Sequence, residues 1–315
     1  KENFKGNKKF NNTVNMVKMS DILSTMACEA QKGVKKAFDP KVHQVRGHLG
    51  QINCAKNIFK LLEGSQLIHE NNPDRDPSKV QDAYGIRCLP QILGGAREAI
   101  TYVDNLMKKE INAATDNPLV FPDEEEVISG GNFHGEPVAI AMDTLGIAAS
   151  EMASISEVRL ERLVNPALSF GLPAFLCHKG GLNNGFMIAQ YASASMVSEN
   201  KTYAHPCSVD SIPSSANQED HVSMGTTAAR TARMIVDNLR ACLAIELMAV
   251  CQALELRGIE KAGKVSQLVH KIVRDAGVPF IEDDILMHPE FKKCEKLIAD
   301  NIIVQKVEEL VGKLD

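Results

Sequence analysis

Residues 219–256 read EDHVSMGTTAARTARMIVDNLRACLAIELMAVCQALEL, a stretch that contains no proline. Large apolar side chains recur along it at helical spacing, namely Val222, Ile235, Leu239, Leu243, Leu247 and Val250. This periodicity predicts one helix with an apolar face, about 55 Å long at the usual rise per residue. A helix of that length outreaches an ordinary single domain. We therefore expect it to run through a helix bundle and to bury surface against neighbouring subunits.

Helical patterns account for most of the remaining chain. We predict further helices at about residues 20–38, 50–63, 91–113, 137–163, 183–204, 264–273 and 289–314. Turns and loops separate them, as at residues 71–77 and 124–131. Residues 1–16 are rich in Lys and Asn, which predicts a flexible lead-in before a single helical domain at residues 17–315. The predicted fold class is all-α.

Composition excludes several classes of function. The net charge is -5, aromatic residues make up 5% and Trp is absent, so neither nucleic acid nor an anionic membrane surface is an expected partner. No apolar run approaches the roughly 18 residues that span a bilayer, and no secretory signal opens the sequence. The eight Cys are scattered without a Cys-x-x-Cys pair, which is typical of reduced thiols. We expect a cytoplasmic protein.

A polar block, SSANQEDHVSMG at residues 214–225, precedes the apolar part of the long helix. Two amides, two carboxylates and an imidazole in a row are costly to order unless each finds a partner. Helix capping is one interpretation, because Asn217 can cap a helix, and Glu219 and Asp220 suit its positive end. Two blocks of similar character, VQDAYGIRCLPQ at 80–91 and SGGNFHGEP at 129–137, favour a functional interpretation instead.

These three blocks are similar to the histidine ammonia-lyase family, one of the aromatic amino acid ammonia-lyases. Further similar stretches occur in the same order, from about residue 18 to about residue 257: AFDP (37–40), GQ (50–51), TDNPLVF (115–121), ERLVNP (161–166), GLNNGFM (181–187) and SEN (198–200). The resemblance implies a long-helix bundle subunit of the ammonia-lyase and fumarase-like helical superfamily. It also implies a homotetramer in which several subunits contribute to each active site. The implied reaction is a carbon–nitrogen lyase step, L-histidine to trans-urocanate and ammonia.

Three residues of the 80–91 block are candidate substrate ligands. Arg87 is a natural clamp for a carboxylate, because its planar guanidinium can bind two oxygens at once, although a surface ion pair is the usual role of Arg. Tyr84 has a phenol that can donate a hydrogen bond or carry a proton, and the resemblance implies a catalytic or substrate-orienting role. Gln81, which we place one helical turn before Tyr84, is a plausible hydrogen-bond partner in the same pocket.

The other two candidates come from the later blocks. Phenylalanine and tyrosine lyases similar to this chain carry Gln where it has Glu219. A carboxylate suits an imidazole or ammonium group better than a phenyl ring, and a partly desolvated one can also act as a base. Phe133 resembles the family residue that packs beside the electrophile. His134, His205 and His221 lie in separate segments without metal-ligand spacing, and the family uses no metal, so we predict hydrogen-bonded histidines and no metal site.

One departure from the family limits the expected activity. The family's electrophile, 4-methylidene-imidazol-5-one, forms from an internal Ala-Ser-Gly triplet, and this chain contains no such triplet. The most similar tripeptide, Ile128-Ser129-Gly130, matches another part of the family sequence and not the position of the Ala-Ser-Gly triplet. We therefore expect this chain to correspond to the C-terminal portion of such an enzyme. Activity then requires an N-terminal portion, either missing from this sequence or present as a separate polypeptide.

Two alternatives remain open from the sequence. The chain could belong to another aromatic amino acid ammonia-lyase or to a 2,3-aminomutase, against which Glu219 argues. It could also be a non-catalytic helical paralogue that lacks the cofactor. The Gly-Ser-Ser-x-Met-Pro loop of fumarases and aspartases is absent, so that activity is not expected.

Overall fold

The structure is a computed structural model that describes the backbone of residues 8–315 and the side chains of residues 13–315. The described part contains eleven α-helices and one two-stranded hairpin, which confirms the all-α fold class. The helices are α1 (Lys8–Ala30), α2 (Pro40–Gln44), α3 (Leu49–Leu61), α4 (Tyr84–Arg87), α5 (Leu89–Glu110), α6 (Glu136–Val164), α7 (Met187–Tyr203), α8 (Gly225–Arg257), α9 (Lys264–Asp275), α10 (His288–Ala299) and α11 (Ile302–Val311). The strands are β1 (Leu119–Phe121) and β2 (Glu126–Ile128).

Two long helices, α6 and α8, lie side by side and run parallel. Near their beginnings Gly146 of α6 lies against Ile235 of α8, and further along Arg159 of α6 pairs with Glu246 of α8. Both helices therefore begin at one end of the bundle, which we call the start end, and finish at the other, the finish end. The helix α7 runs antiparallel to α8.

The long helix α8 confirms the prediction of one uninterrupted helix, but it begins at Gly225 rather than at Glu219. Its N-cap residue, Met224, has a left-handed backbone conformation and its side chain makes no capping hydrogen bond. The capping interpretation of Asn217, Glu219 and Asp220 is therefore wrong, because these residues lie in a loop ahead of the helix. The helix is about 50 Å long, and its second half is buried almost all round.

The first helix corrects the predicted lead-in. α1 begins at Lys8, and Thr13, Met16 and Val17 are buried against the rest of the bundle. The prediction of a flexible segment was therefore wrong for residues 8–16, because the many Lys and Asn residues obscured a few apolar side chains on one helix face. The first seven residues of the predicted lead-in lie outside the described residues. α1 also ends at Ala30, earlier than residue 38, where the predicted helix ends.

The hairpin β1–β2 was not predicted. Its strands are antiparallel, with Leu119 opposite Ile128 and Phe121 opposite Glu126. The side chain of Asn117 accepts hydrogen bonds from Ser129 Oγ (3.0 Å) and from the backbone N–H of Gly130 (2.8 Å), which closes the base of the hairpin. Each strand has only three residues, too few for an alternating pattern to be visible in the sequence.

The helix α6 also corrects the expectation that no segment has the length and composition of a membrane span. By length and composition this helix is apolar enough to cross a membrane, and 56% of its most apolar stretch is buried inside the structure. Since α6 packs along α5, α7 and α8, core packing accounts for its apolar composition.

Thiol reactivity follows from this packing. Burial raises the pKa of the Cys242 thiol to about 11 and that of Cys294 to about 12, whereas Cys88 and Cys207 are only partly buried. We expect iodoacetamide to alkylate Cys88 and Cys207 first in the native protein, because the thiolate is the reactive form and the other thiols are shielded. Peptide mass spectrometry with and without urea would measure this. Equal labelling of Cys242 in the native protein would contradict it.

Candidate active site

The segment that carries Gln81, Tyr84 and Arg87 is anchored at the finish end by Asp82. The Asp82 side chain is buried and accepts a hydrogen bond from the backbone N–H of Val34 at 2.6 Å. It also forms an ion pair with Lys79 at 2.6 Å. Lys79 in turn donates to the carbonyl oxygen of Lys32, just beyond the C-terminus of α1. Asp82 was not among the candidates from the sequence, because a spacing of three residues from Lys79 indicates an ion pair only within a helix, and these residues lie outside any helix.

Arg87 and Tyr84 lie together, as their spacing suggested. The Arg87 Nε donates to the carbonyl oxygen of Asp82 at 2.8 Å, and its Cζ lies 4.8 Å from the centre of the Tyr84 ring. Tyr84 is 68% exposed. Among the side chains that the structure describes, neither Nη atom of Arg87 has a hydrogen bond or ion-pair partner. The terminal fork of a half-buried guanidinium is thus free to bind an anion.

Gln81 does not lie one helical turn before Tyr84. The intervening Ala83 is extended, with φ -63° and ψ 161°, and α4 begins only at Tyr84. The prediction was wrong because it continued the helix through residues that the buried Asp82 holds against Val34, beyond the end of α1. Gln81 is exposed, and its position beside the predicted pocket stays a prediction.

The second group of candidates lies at the start end. Phe133 is 58% exposed and precedes α6 by three positions. Glu219 lies in a tight loop in which Ser214 Oγ donates to its Oε2 at 2.7 Å, and the two backbones form a bridge. Three consecutive residues, Ser215, Ala216 and Asn217, have positive φ in this loop. The loop presents the Glu219 carboxylate to solvent with one oxygen tied to Ser214.

A pair of histidines joins the two loops of this second group. The ring Nε2 of His134 lies 3.1 Å from the carbonyl oxygen of His221 and 3.3 Å from the Nδ1 of that residue. These contacts confirm that His134 and His221 are hydrogen-bonded. Their contact with each other was not predicted. Close packing accompanies the pair, since a Cβ on Gly135 would lie 3.1 Å from Ser223 Oγ.

Within one chain, the two groups of candidates lie at opposite ends of the helix bundle. Gly85, beside Tyr84, lies against Val158 near the end of α6, whereas Phe133 lies three residues before the start of that helix. The rise of an α-helix from Glu136 to Val158 is about 33 Å. A single chain therefore brings Tyr84 and Arg87 together, and Phe133 near the Glu219 loop, but it does not unite the two groups in one pocket.

A family model and individual relatives of known name agree on the family to which this chain is similar. A family model described as aromatic amino acid lyase matches residues 8–275. The histidine ammonia-lyase of Alkaliphilus oremlandii is 52% identical over 298 residues, which are 95% of this chain and 58% of that protein. That of Caldanaerobacter subterraneus is 53% identical over 294 residues, 93% of this chain and 57% of the relative.

Solved structures show the same fold. A histidine ammonia-lyase from Trypanosoma cruzi matches with a TM-score of 0.87 and 41% identity, over 96% of this chain and 56% of that one. A tyrosine aminomutase from Streptomyces globisporus matches with a TM-score of 0.91 and 30% identity, over 98% of this chain and 62% of that one. The chain thus spans about three-fifths of the length of the relatives it matches.

Proposed function

Because the chain belongs to the aromatic amino acid lyase family, we propose that it forms part of a histidine ammonia-lyase, which converts L-histidine to trans-urocanate and ammonia. Arg87 carries this proposal. Its Nε is held by the Asp82 carbonyl oxygen, so the guanidinium is oriented before substrate arrives, and both Nη atoms point to no partner among the described side chains. A bidentate pair with the substrate carboxylate is the interaction that this geometry suits.

Glu219 is the proposed group for the substrate's imidazole or ammonium. The bond from Ser214 holds one carboxylate oxygen, and the loop leaves the other exposed to solvent. An ionised carboxylate accepts hydrogen bonds from N–H groups, which a histidine substrate offers and a phenyl ring does not. We assign the exposed phenol of Tyr84 to proton handling near the amine, and the exposed ring of Phe133 to the wall of the pocket.

Elimination of ammonia also needs an electrophile that activates the amine. In this family a methylidene-imidazolone supplies it, and the 315 residues contain no Ala-Ser-Gly triplet from which that group could form. The residues of this chain therefore do not accommodate its formation. We propose that a segment absent from this sequence contributes it, and we assign to this chain only substrate binding, orientation and proton handling.

The proposed assembly is a homotetramer with shared active sites in the cytoplasm. Its support is the separation of about 33 Å between the Tyr84–Arg87 group and the Phe133–Glu219 group within one chain. Several exposed apolar side chains on the long helices, such as Ile147 on α6 and Tyr191 on α7, are available for contacts between subunits. Groups from opposite ends of different chains could then face one pocket.

The function is tested by the growth of urocanate absorbance from L-histidine. The chain is co-expressed with a polypeptide that carries Ala-Ser-Gly and corresponds to the remaining part of a relative. We expect turnover of histidine, none of phenylalanine, and no activity from the chain of about 34 kDa alone. Glu219→Gln should lower kcat/KM for histidine by about 10- to 100-fold, because it removes the charge but keeps the shape.

Other outcomes of the same assay identify the alternatives. Cinnamate from phenylalanine would indicate another aromatic ammonia-lyase, and a β-amino acid would indicate a 2,3-aminomutase. Unchanged turnover in Glu219→Gln would contradict the assigned role of Glu219. Full activity of the chain alone would contradict the need for a second segment. An assembled complex without any activity would favour a non-catalytic paralogue.

A further inference from the structure

We propose that His134, Glu136 and His221 form a binding site for a divalent transition-metal ion such as Zn²⁺. One ligand atom from each of the three side chains lies within 4.8 Å of the others. The proposal departs from the sequence-based expectation of no metal site, which rested on the distance between these residues along the chain. It depends on geometry alone and stands independently of the proposed lyase reaction.

The two imidazoles already have the spacing of metal ligands. His134 Nε2 and His221 Nδ1 are 3.3 Å apart. Two nitrogen ligands at the usual Zn–N bond length on a tetrahedral ion are also about 3.3 Å apart. A carboxylate oxygen of Glu136 lies within 4.8 Å of a ligand atom of each histidine, so only a small further approach of this side chain is needed to complete the site.

The Glu136 carboxylate supplies a second, independent observation. Its Oε2 atom is buried and has no hydrogen-bond partner among the residues that the structure describes. Buried carboxylate oxygens are nearly always paired, and a bound cation would provide the missing partner. Imidazole nitrogen together with carboxylate oxygen is a ligand combination that Zn²⁺ accepts.

The site lies between two segments that are held in place. His134 and Glu136 flank Gly135 at the start of α6, and a Cβ on Gly135 would lie 3.1 Å from Ser223 Oγ. The backbone N–H of Val222, next to His221, donates to Ser211 Oγ at 3.0 Å. His221 is itself exposed, which leaves a path for the ion and positions for water ligands.

Two effects oppose binding and set its strength. The backbone N–H of Glu136 donates to His134 Nδ1 at 3.3 Å, so the ring proton lies on Nε2 in the free protein. A metal at Nε2 requires the other tautomer, so it replaces both this weak hydrogen bond and the one from Nε2 to the carbonyl oxygen of His221 at 3.1 Å. The N-termini of α6 and α8 also carry partial positive charge. We therefore expect weaker binding than at a structural zinc site with four protein ligands.

The test is titration of the full chain with Zn²⁺ by calorimetry and with Co²⁺ by visible spectroscopy. We expect one equivalent of each ion and the d–d bands of four- or five-coordinate Co²⁺. His134→Gln and His221→Asn should each weaken binding by at least about tenfold. His205→Gln is the matched control, because His205 is exposed, lies only a short distance before His221 in sequence, and is not part of the cluster.

Circular dichroism and thermal melting establish that each variant is folded, and Glu136→Gln tests the site without altering the histidine pair. A loss of at least about tenfold in this variant supports the proposal. The proposal is overturned if the chain takes up no ion. It is also overturned if folded His221→Asn binds as tightly as the original chain, or if His205→Gln loses as much affinity, since the ion would then bind adventitiously.

Discussion

Replacing Arg159 by Met is expected to lower the free energy of unfolding by about 3–5 kcal/mol. The Arg159 and Glu246 side chains are both fully buried, and the guanidinium binds the carboxylate through two hydrogen bonds of 2.5 and 2.7 Å. Ser156 Oγ donates to the same carboxylate. Removing the arginine leaves a buried negative charge with one hydroxyl donor, which is a much larger cost than the loss of an exposed pair. Urea denaturation followed by circular dichroism measures the effect.

Two controls separate charge burial from loss of packing. The double replacement Arg159→Met with Glu246→Leu removes both charges and should recover most of the lost stability. Lys271→Met removes an exposed ion pair with Asp275 and should change stability by no more than about 0.5 kcal/mol. A double variant as unstable as Arg159→Met would show that the arginine acts through packing. Because this pair joins α6 to α8, we also expect it to fix their register.

Replacing Arg87 by Met is expected to lower kcat/KM for L-histidine by about 10²–10³-fold in the assembled enzyme. The change removes both N–H donors that we assign to the substrate carboxylate and keeps an unbranched side chain of similar length. The change also removes the hydrogen bond from Arg87 Nε to the Asp82 carbonyl oxygen, and because that bond is only partly buried we expect its loss to lower the free energy of unfolding by about 1 kcal/mol. Steady-state kinetics of urocanate formation measures the loss, and Arg87→Lys, which keeps the charge but not the fork, should recover part of it.

The same variant tests the assembly. If each pocket takes Arg87 from one subunit and Glu219 from another, mixed tetramers of Arg87→Met and Glu219→Gln chains contain some unaltered pockets. Random mixing gives about one quarter of the pockets without either change, so activity should rise well above that of either parent. No recovery after denaturation and joint refolding would contradict shared sites. A mixture of Arg87→Met with Tyr84→Phe chains is the control. Each pocket takes Arg87 and Tyr84 from the same chain, so every pocket carries one of the two changes and activity should not recover.

Much of the fold was predictable from hydrophobic periodicity. The predicted helices at 50–63, 91–113 and 137–163 match α3, α5 and α6 within a few residues at each end. These segments have apolar side chains at helical spacing and turn-forming residues at their ends, so the local sequence is sufficient to predict where each helix begins and ends. The hairpin β1–β2 was missed because its strands are too short to show a period. The first turns of α1 were missed because Lys and Asn outnumber the few buried side chains.

The candidate residues show a similar division. The types and spacing of Tyr84, Arg87 and Glu219 are sufficient to suggest carboxylate binding and recognition of a polar substrate group. Neither the anchoring of the Tyr84–Arg87 segment by Asp82 nor the contact between His134 and His221 was predicted. Each of these contacts joins residues far apart in sequence, and no local pattern reports which distant segment will provide the partner.

The sequence by itself determined the helical class, the family and the chemical identity of the candidate groups, because these depend on side-chain type and on periodicity within short segments. Only the tertiary structure decided where those groups lie. The rigid helix α6 places the Tyr84–Arg87 group and the Phe133–Glu219 group about 33 Å apart, since a continuous helix cannot fold back to bring its ends together. The packing of α6 along α8 also decides that His134, Glu136 and His221 come together. Two parallel helices that begin at one end of a bundle place the loops before them side by side.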